Sequence, residues 1–438
     1  MTVAPRSNSS ARSTARGRYI IRIAAIVHNA VRHDARVLKE AASLKARGHD
    51  VRLFGLTPDE ADVFTLPNGI PVHLAHRDLS DVKPRIQREE LPRGRESSIW
   101  TSFRTQGDLI FNEVRATFEP DIVHIHDHLA LTAASQYKEA FNCPIIWDAH
   151  EIYEDLASIE DVRAVVNARI IHENVRHVDG FITLNQSIAD FYSKKYPELP
   201  AAVLLPNAVE RVAQTQYDGR LHRAAGLNPD QKILLFQGGY SPHRGIPALL
   251  EASHLLRSDW SLVFMGWGKL EEEIREHAND RADRAAGRAR VAMVPSAPQD
   301  ELLSWTAGAS LGSIPYENTG LNHLYCSPNK LWEYPAAGVP ILASDMPEMR
   351  LKIHQYSIGL TVDKELNPSE IATAVNSIGD DLLAEMKRNC GVYSAAENWH
   401  VYQERLLGLY LDIGRKKGLI KPKYRQVWDD VISRVKGA

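Results

Sequence analysis

The chain has 438 residues, 44% of them hydrophobic and 24% charged, with a formal net charge of −3. That length holds two or three domains with cores of their own, and the near balance of charge excludes a dedicated nucleic-acid binder. Three scattered cysteines (Cys143, Cys326, Cys390) are too few for a disulfide framework and point to a reducing, cytoplasmic setting. No apolar run reaches the roughly 18–20 residues of a membrane-spanning helix.

In chain order, residues 1–18 carry four arginines and no acid, and read as a disordered tail. Such starts also occur in organelle transit peptides. YIIRIAAIVHN (19–29) is apolar on both faces, as a buried parallel strand requires. The helix that follows, 34–50, shows a stripe of Val37, Leu38, Ala41, Ala42 and Leu44, with Gly48 as its stop. Further strands are expected at 51–56, 71–75, 122–126, 145–149, 181–184 and 202–205, mostly separated by helices. A linker at 206–214 precedes a second series at 233–239, 261–267, 290–295, 309–315, 339–344 and 358–362. Helices are expected at 380–395, 399–414 and 424–436. Such alternation predicts an α/β chain with two doubly wound, Rossmann-like parallel-sheet domains facing a cleft. The expected domains are 19–207 and 208–395, with 396–438 packing back on the first.

Ligands of such domains bind beyond the C-terminal ends of the strands. There the second half offers GGYSPHRGI (238–246), in which Gly238 and Gly239 admit close backbone approach and Arg244 suits a phosphate. Gly266 and Gly268 form a G-x-G, and Met293 to Ser296, Val294 among them, end a strand where backbone groups are placed to pair with a flat base. In NHLYCSPNKLWEYPAAGVPILAS (322–344), Ser327 reads as an N-cap and Pro328 as the first helical residue, with Asn329 and Lys330 in a first turn that favours an anion. Glu333 follows one turn on, as a carboxylate beside the clamp or as a surface partner of Lys330. Pro335 is expected to bend the helix and Gly338 to close it. In the first half, His124, His126 and His128 alternate at a strand end. His150 stands before Glu151, Glu154 and Asp155, as an acid/base or charge-stabilising group or as a histidine satisfied by its neighbours.

Together D-x-R-V-L-K-E-A-x-S-L-x-x-x-G-H-x-V (34–51), P-D-I-V-H-I-H-D (120–127), D-A-H-E (148–151), P-N-A-V (206–209), G-G-x-x-x-x-R-G (238–245) and S-P-N-K-L-W-E-Y-x-A-A-G-V-P-I-L-A-S (327–344) carry a resemblance. From residue 20 to about 415 the chain resembles the GT-B-type glycosyltransferases, within them the retaining family-4, group 1 enzymes. The resemblance implies a nucleotide-diphosphate-sugar donor, UDP-linked by preference, held by the second domain. The acceptor, a glycan, a lipid-linked sugar or a small molecule, belongs to the first domain. It makes Glu333 the ribose ligand and Arg244 the diphosphate grip, with Lys330 beside it. Ser327, Pro328 and Asn329 become the cradle of the distal phosphate, and His150 the histidine near the reacting sugar. It implies no cofactor and no metal. Two positions depart from the family pattern: Tyr325 stands where an acidic sugar contact is common, and Gly239 where many members have arginine.

Other readings stand beside this one. A GT-B-fold epimerase would convert the donor without an acceptor, and the HIHDH run suggests a metal-dependent hydrolase. Peripheral contact with anionic membrane at the inner face is suggested by basic residues at 415–425 and by arginines mixed with Ile99, Trp100 and Phe103.

Overall fold

The computed structural model describes residues 20–88, 94–156, 159–210, 217–278 and 290–420. The tail expected at 1–18, the linker from residue 211, the helix at 424–436 and the end of the basic stretch 415–425 lie outside these residues. Two compact units emerge. One comprises the chain up to Glu154, 159–205 and everything from Gln403, and the other comprises 155–158 and 206–402.

The first unit is an eight-stranded sheet of order β3-β4-β2-β1-β5-β6-β7-β8. Its strands are β1 (Arg22–Ile26), β2 (Asp50–Thr57), β3 (Asp62–Thr65), β4 (Pro71–His76), β5 (Ile122–His126), β6 (Ile145–Ala149), β7 (Gly180–Thr183) and β8 (Ala202–Leu204). Seven of these coincide with expected strands. β3 does not, and it runs antiparallel to β4. Only a short turn joins the two, at Gly69 (φ +79°), which is long enough for a hairpin but not for a parallel crossover. β3 is also short, with alternate residues exposed, as suits a sheet edge.

The expected helix after β1 is present as Ala35–Ala46. Asp34 caps it by accepting from the Val37 amide at 3.1 Å. Gly48 closes it at φ +93°, while the His49 amide donates back to the Leu44 carbonyl at 3.3 Å. Its buried face is rotated from the apolar stripe, because Arg36 and Glu40 lie inside while Leu38 and Ala42 are only partly covered. Trp100, proposed for the membrane surface, is buried within this unit, with the Arg169 guanidinium 4.2 Å above its ring. Among the described residues, no helix is long and apolar enough to cross a membrane.

The second unit is a six-stranded sheet, parallel throughout, of order β11-β10-β9-β12-β13-β14. Its strands are β9 (Lys232–Gly239), β10 (Trp260–Trp267), β11 (Val291–Val294), β12 (Leu311–Ile314), β13 (Ile341–Ser344) and β14 (Gly359–Val362), all where the pattern places them. Strand order reverses between β9 and β12, and in the first unit between β1 and β5. Each reversal parts the connecting loops and opens a ligand crevice beyond the strand ends.

Tyr334, from the helix Lys330–Ala336, locks that helix onto the second switch point. Its hydroxyl donates to the Leu235 carbonyl (3.0 Å) and accepts from the Gln237 amide (3.2 Å), both on β9. The ring lies so close to β12 that a Cβ on Gly312 would stand 2.4 Å from it. Gly312→Ala is therefore expected to cost about 1–3 kcal/mol through overpacking, read as a lower urea midpoint of the second unit. An unchanged midpoint would show that the ring shifts freely.

Candidate functional site

At the switch point of the second unit, the loop after β9 and the loop after β12 are laced together. The Glu317 amide donates to the His243 carbonyl (3.2 Å), and the His243 ring meets the Glu317 carboxylate at 2.9 Å. Gly245, at φ +66°, sits directly on Pro315, where a Cβ would come 1.9 Å from the Pro315 oxygen. This lacing sets Arg244 over the ring of Tyr316, guanidinium carbon 4.1 Å from the centroid. Lys330 reaches the same tyrosine, its Nζ 3.4 Å from the hydroxyl and 5.6 Å from the ring centre. Tyr316 itself is buried, and its carbonyl accepts from Ser344 Oγ at the end of β13 (2.7 Å). Among the described residues, neither Arg244 nor Lys330 has a carboxylate within ion-pair distance.

Gly238 clears room for the ammonium, since a Cβ there would lie 3.0 Å from Lys330 Nζ. Gly239 is exposed, with nothing within 4 Å of a built Cβ. Gly266 pairs with Gly238 across the sheet, and a Cβ on it would strike the Gly238 oxygen at 2.0 Å. Glu333 accepts from Gln237 Nε2 (2.8 Å), and Thr306 Oγ1 donates to the Gln237 oxygen (2.7 Å). That buried relay fixes the carboxylate's direction. Val294 closes β11, in register with Met265 of β10.

The helix begins at Lys330 with Asn329 as its cap, not at Pro328 with Ser327 as cap. Pro328's carbonyl accepts from the Leu331 amide (2.9 Å), so a tight turn precedes the helical ladder. With seven residues and no side-chain cap, this helix start offers less than expected; the positive charge comes from Arg244 and Lys330. Ser327 is buried, Pro328 half-buried and Asn329 exposed, while Tyr325 caps the preceding turn Leu321–Leu324. Gly338 closes the helix as expected, with the Val339 amide donating to the Tyr334 carbonyl (2.9 Å). Pro335 falls in the last turn and does not break so short a helix.

At the first unit's switch point, the notable side chains are charged and buried. Arg36 makes a two-pronged contact with Asp148 (2.8 Å each), donates to the Leu205 carbonyl (2.7 Å) and lies 3.1 Å from Glu40. His124 and His126 stack at 4.3 Å beside them, and His124 shares a hydrogen bond with the Tyr410 hydroxyl (2.8 Å). His128 instead stacks on Tyr153, so the HIHDH histidines do not act as one group. Glu40, His124, His126 and Asp148 bring one ligand atom each within 4.8 Å of one another. A divalent cation there would press against the Arg36 guanidinium, which already supplies the positive charge.

His150 lies above this cluster, Nε2 2.8 Å from Asp148 and Nδ1 3.4 Å from Asp127. Burial alone would lower its pKa, but Asp148 and then Asp127 outweigh burial and Arg36 and raise it. Asp148 is held well below the usual carboxylate range: burial opposes its charge, and Arg36 and His150 more than reverse that. Glu40 is pushed up to about 7, by burial first and then by Asp148, against the pull of Arg36.

Comparison with known proteins settles the class. A Glycosyl transferase 4-like domain matches residues 34–208, and a Glycosyl transferases group 1 domain matches 219–396. The chain belongs to the group 1 glycosyltransferases. It is similar to a D-inositol 3-phosphate glycosyltransferase of Thermobispora bispora, 23% identical over 385 residues, which are 81% of this chain and 85% of that one. Among solved structures, a sucrose-phosphate synthase of Thermosynechococcus elongatus superposes with a TM-score of 0.70 at 16% identity, covering 90% of this chain and all of the other. A trehalose-6-phosphate enzyme of E. coli, solved with UDP-2-fluoro glucose, gives a TM-score of 0.61 at 14% identity, covering 90% and 98%. These likenesses confirm the two-domain GT-B fold.

Within this glycosyltransferase the structure brings Arg244, Lys330, Gly238, Gly239, Gly266 and Glu333 to one end of one sheet. Sequence reasoning missed Tyr316, Gln237 and Thr306, which orient them, and the Arg36–Glu40–Asp148 cluster. The i,i+4 spacing of Arg36 and Glu40 was an available signal, since it marks them as neighbours on one helix face.

Because Glu40 is raised in the fold, its stabilising contribution is complete below its unfolded pKa of about 4.5 and is lost as pH rises to about 7. Glu40→Gln removes that titration. Between about pH 5 and about pH 8 the melting temperature of the variant should therefore fall less than that of the wild type. Parallel pH profiles would show that Glu40 titrates normally.

Proposed function

We propose that this glycosyltransferase takes its sugar from a UDP-sugar and passes it, with retention of configuration, to a glycan, lipid-linked or small-molecule acceptor. The observation that carries the donor half is the pair of cations on Tyr316. Two positive side chains share one ring beside bare glycine backbone, with no carboxylate to neutralise them among the described residues. Such an arrangement suits a diphosphate, which Arg244 meets with its planar fork and Lys330 with a point charge. Glu333, aimed by Gln237, accepts from the ribose hydroxyls. The charge that develops on the departing diphosphate is met by the same two cations, already in place before the bond breaks. In this reading the site uses no metal and no cofactor. The E. coli neighbour solved with UDP-2-fluoro glucose favours uridine as the base.

His150 enters as a charged group. With each ring nitrogen facing a carboxylate and its pKa raised, it carries a proton at higher pH than a free histidine. It serves to stabilise negative charge near the reacting sugar and does not abstract a proton.

Release of UDP from UDP-sugars, with and without candidate acceptors, tests the proposal. Arg244→Ala and Glu333→Ala should each lower kcat/KM by about 10–100-fold, the range for losing a charge-assisted hydrogen bond, with unchanged melting temperature. Near-wild-type turnover in both variants would defeat the assignment.

A further inference from the structure

We propose that Trp267 is a stacking platform for the nucleobase of the donor; the inference rests on the donor site described above. Trp267 is 69% exposed, although it ends a strand whose first six residues are buried. Its backbone is pinned. The Tyr240 amide donates to the Trp267 carbonyl (2.8 Å), and the Leu270 amide returns to the Tyr240 carbonyl (3.1 Å). Tyr240 is itself anchored, fully buried and edge-on to Phe264 at 6.0 Å.

The glycines on either side are required by this pinning. A Cβ on Gly266 would meet the Gly238 oxygen at 2.0 Å, and one on Gly268 would meet the Tyr240 oxygen at 2.6 Å. The chain therefore runs as close as backbone can to the loop after β9 on both sides of Trp267, while the indole is left in solvent. Directly across the sheet from Trp267 is Gly239, above which nothing lies within 4 Å. The indole thus borders a bare shelf of backbone.

The sheet order sets what fills that shelf. Lys330 stands against Gly238, and Trp267 pairs with the next residue, Gly239, one strand over toward β11. Strand spacing and rise put that diagonal at about 6 Å between backbones, a gap bridged by one ribose. A nucleoside diphosphate with its phosphates at Lys330 and Arg244 and its ribose over the glycines brings its base to the indole. Stacking on an aromatic face suits any base, so Trp267 contributes affinity for the nucleoside and leaves the choice of base to other groups.

The test uses the full-length protein and two probes, UDP and inorganic pyrophosphate, by calorimetry. Trp267→Ala should weaken UDP binding by about 10-fold, leave pyrophosphate binding within about twofold, and be largely rescued by Trp267→Phe. Unchanged UDP affinity in Trp267→Ala, or equal loss for both probes, would overturn the stacking role. Arg244→Ala separates the two readings, because it should weaken both probes. If Arg244→Ala weakens both probes and Trp267→Ala weakens neither, the diphosphate site stands and the platform falls. If Arg244→Ala weakens neither, the diphosphate site falls and the platform with it.

Discussion

Two cations held against one aromatic ring are the constraint around which the second unit is arranged. Arg244 and Lys330 arrive from different loops, and without a third party their like charges would drive them apart. Tyr316 receives both, Arg244 on its π face and Lys330 at its hydroxyl, the cation on the ring face contributing about 0.5–2 kcal/mol. The remaining structure makes that convergence possible. Strand order reverses between β9 and β12, Gly245 lets one loop rest on the other, and Tyr334 holds the Lys330 helix to β9. In the proposed reading, the diphosphate of the donor supplies the countercharge that the protein withholds.

The first unit solves a different problem, that of keeping charges inside. Asp148 is the hub, shared by Arg36 below and His150 above. Burial penalises every charge in the group, so the cluster persists only because each ion has an opposite neighbour. Glu40 is the surplus carboxylate, and its pKa of about 7 is the physical sign of that surplus. Through Asp148, a helix that never meets solvent on this face influences the proton held by His150.

Much of this was legible in the amino-acid order, and the limits were physical. Alternating buried strands and helices announced both sheets, because parallel strands covered on two faces must be apolar throughout. Arg244, Lys330 and Glu333, which the structure brings to one end of one sheet, were singled out because each follows a strand end or opens a helix. Tyr316, Gln237 and Thr306 were not, since their roles come from pairings across about 15–95 residues that no local pattern encodes. The inward face of the Ala35–Ala46 helix was misjudged for a related reason. An apolar stripe was taken to mark the core, whereas Arg36 is buried by pairing with Asp148 on β6, and Glu40 by pairing with Arg36. β3 escaped notice because a four-residue edge strand has little hydrophobic signal.

The two cations on Tyr316 are proposed to grip a diphosphate. A crystal structure of the protein with UDP tests this most directly. The diphosphate is expected within hydrogen-bonding distance of Arg244 and Lys330 above Gly238, with the ribose hydroxyls on Glu333. Density for UDP away from both cations, with Arg244 still lying on an unliganded Tyr316, would contradict it.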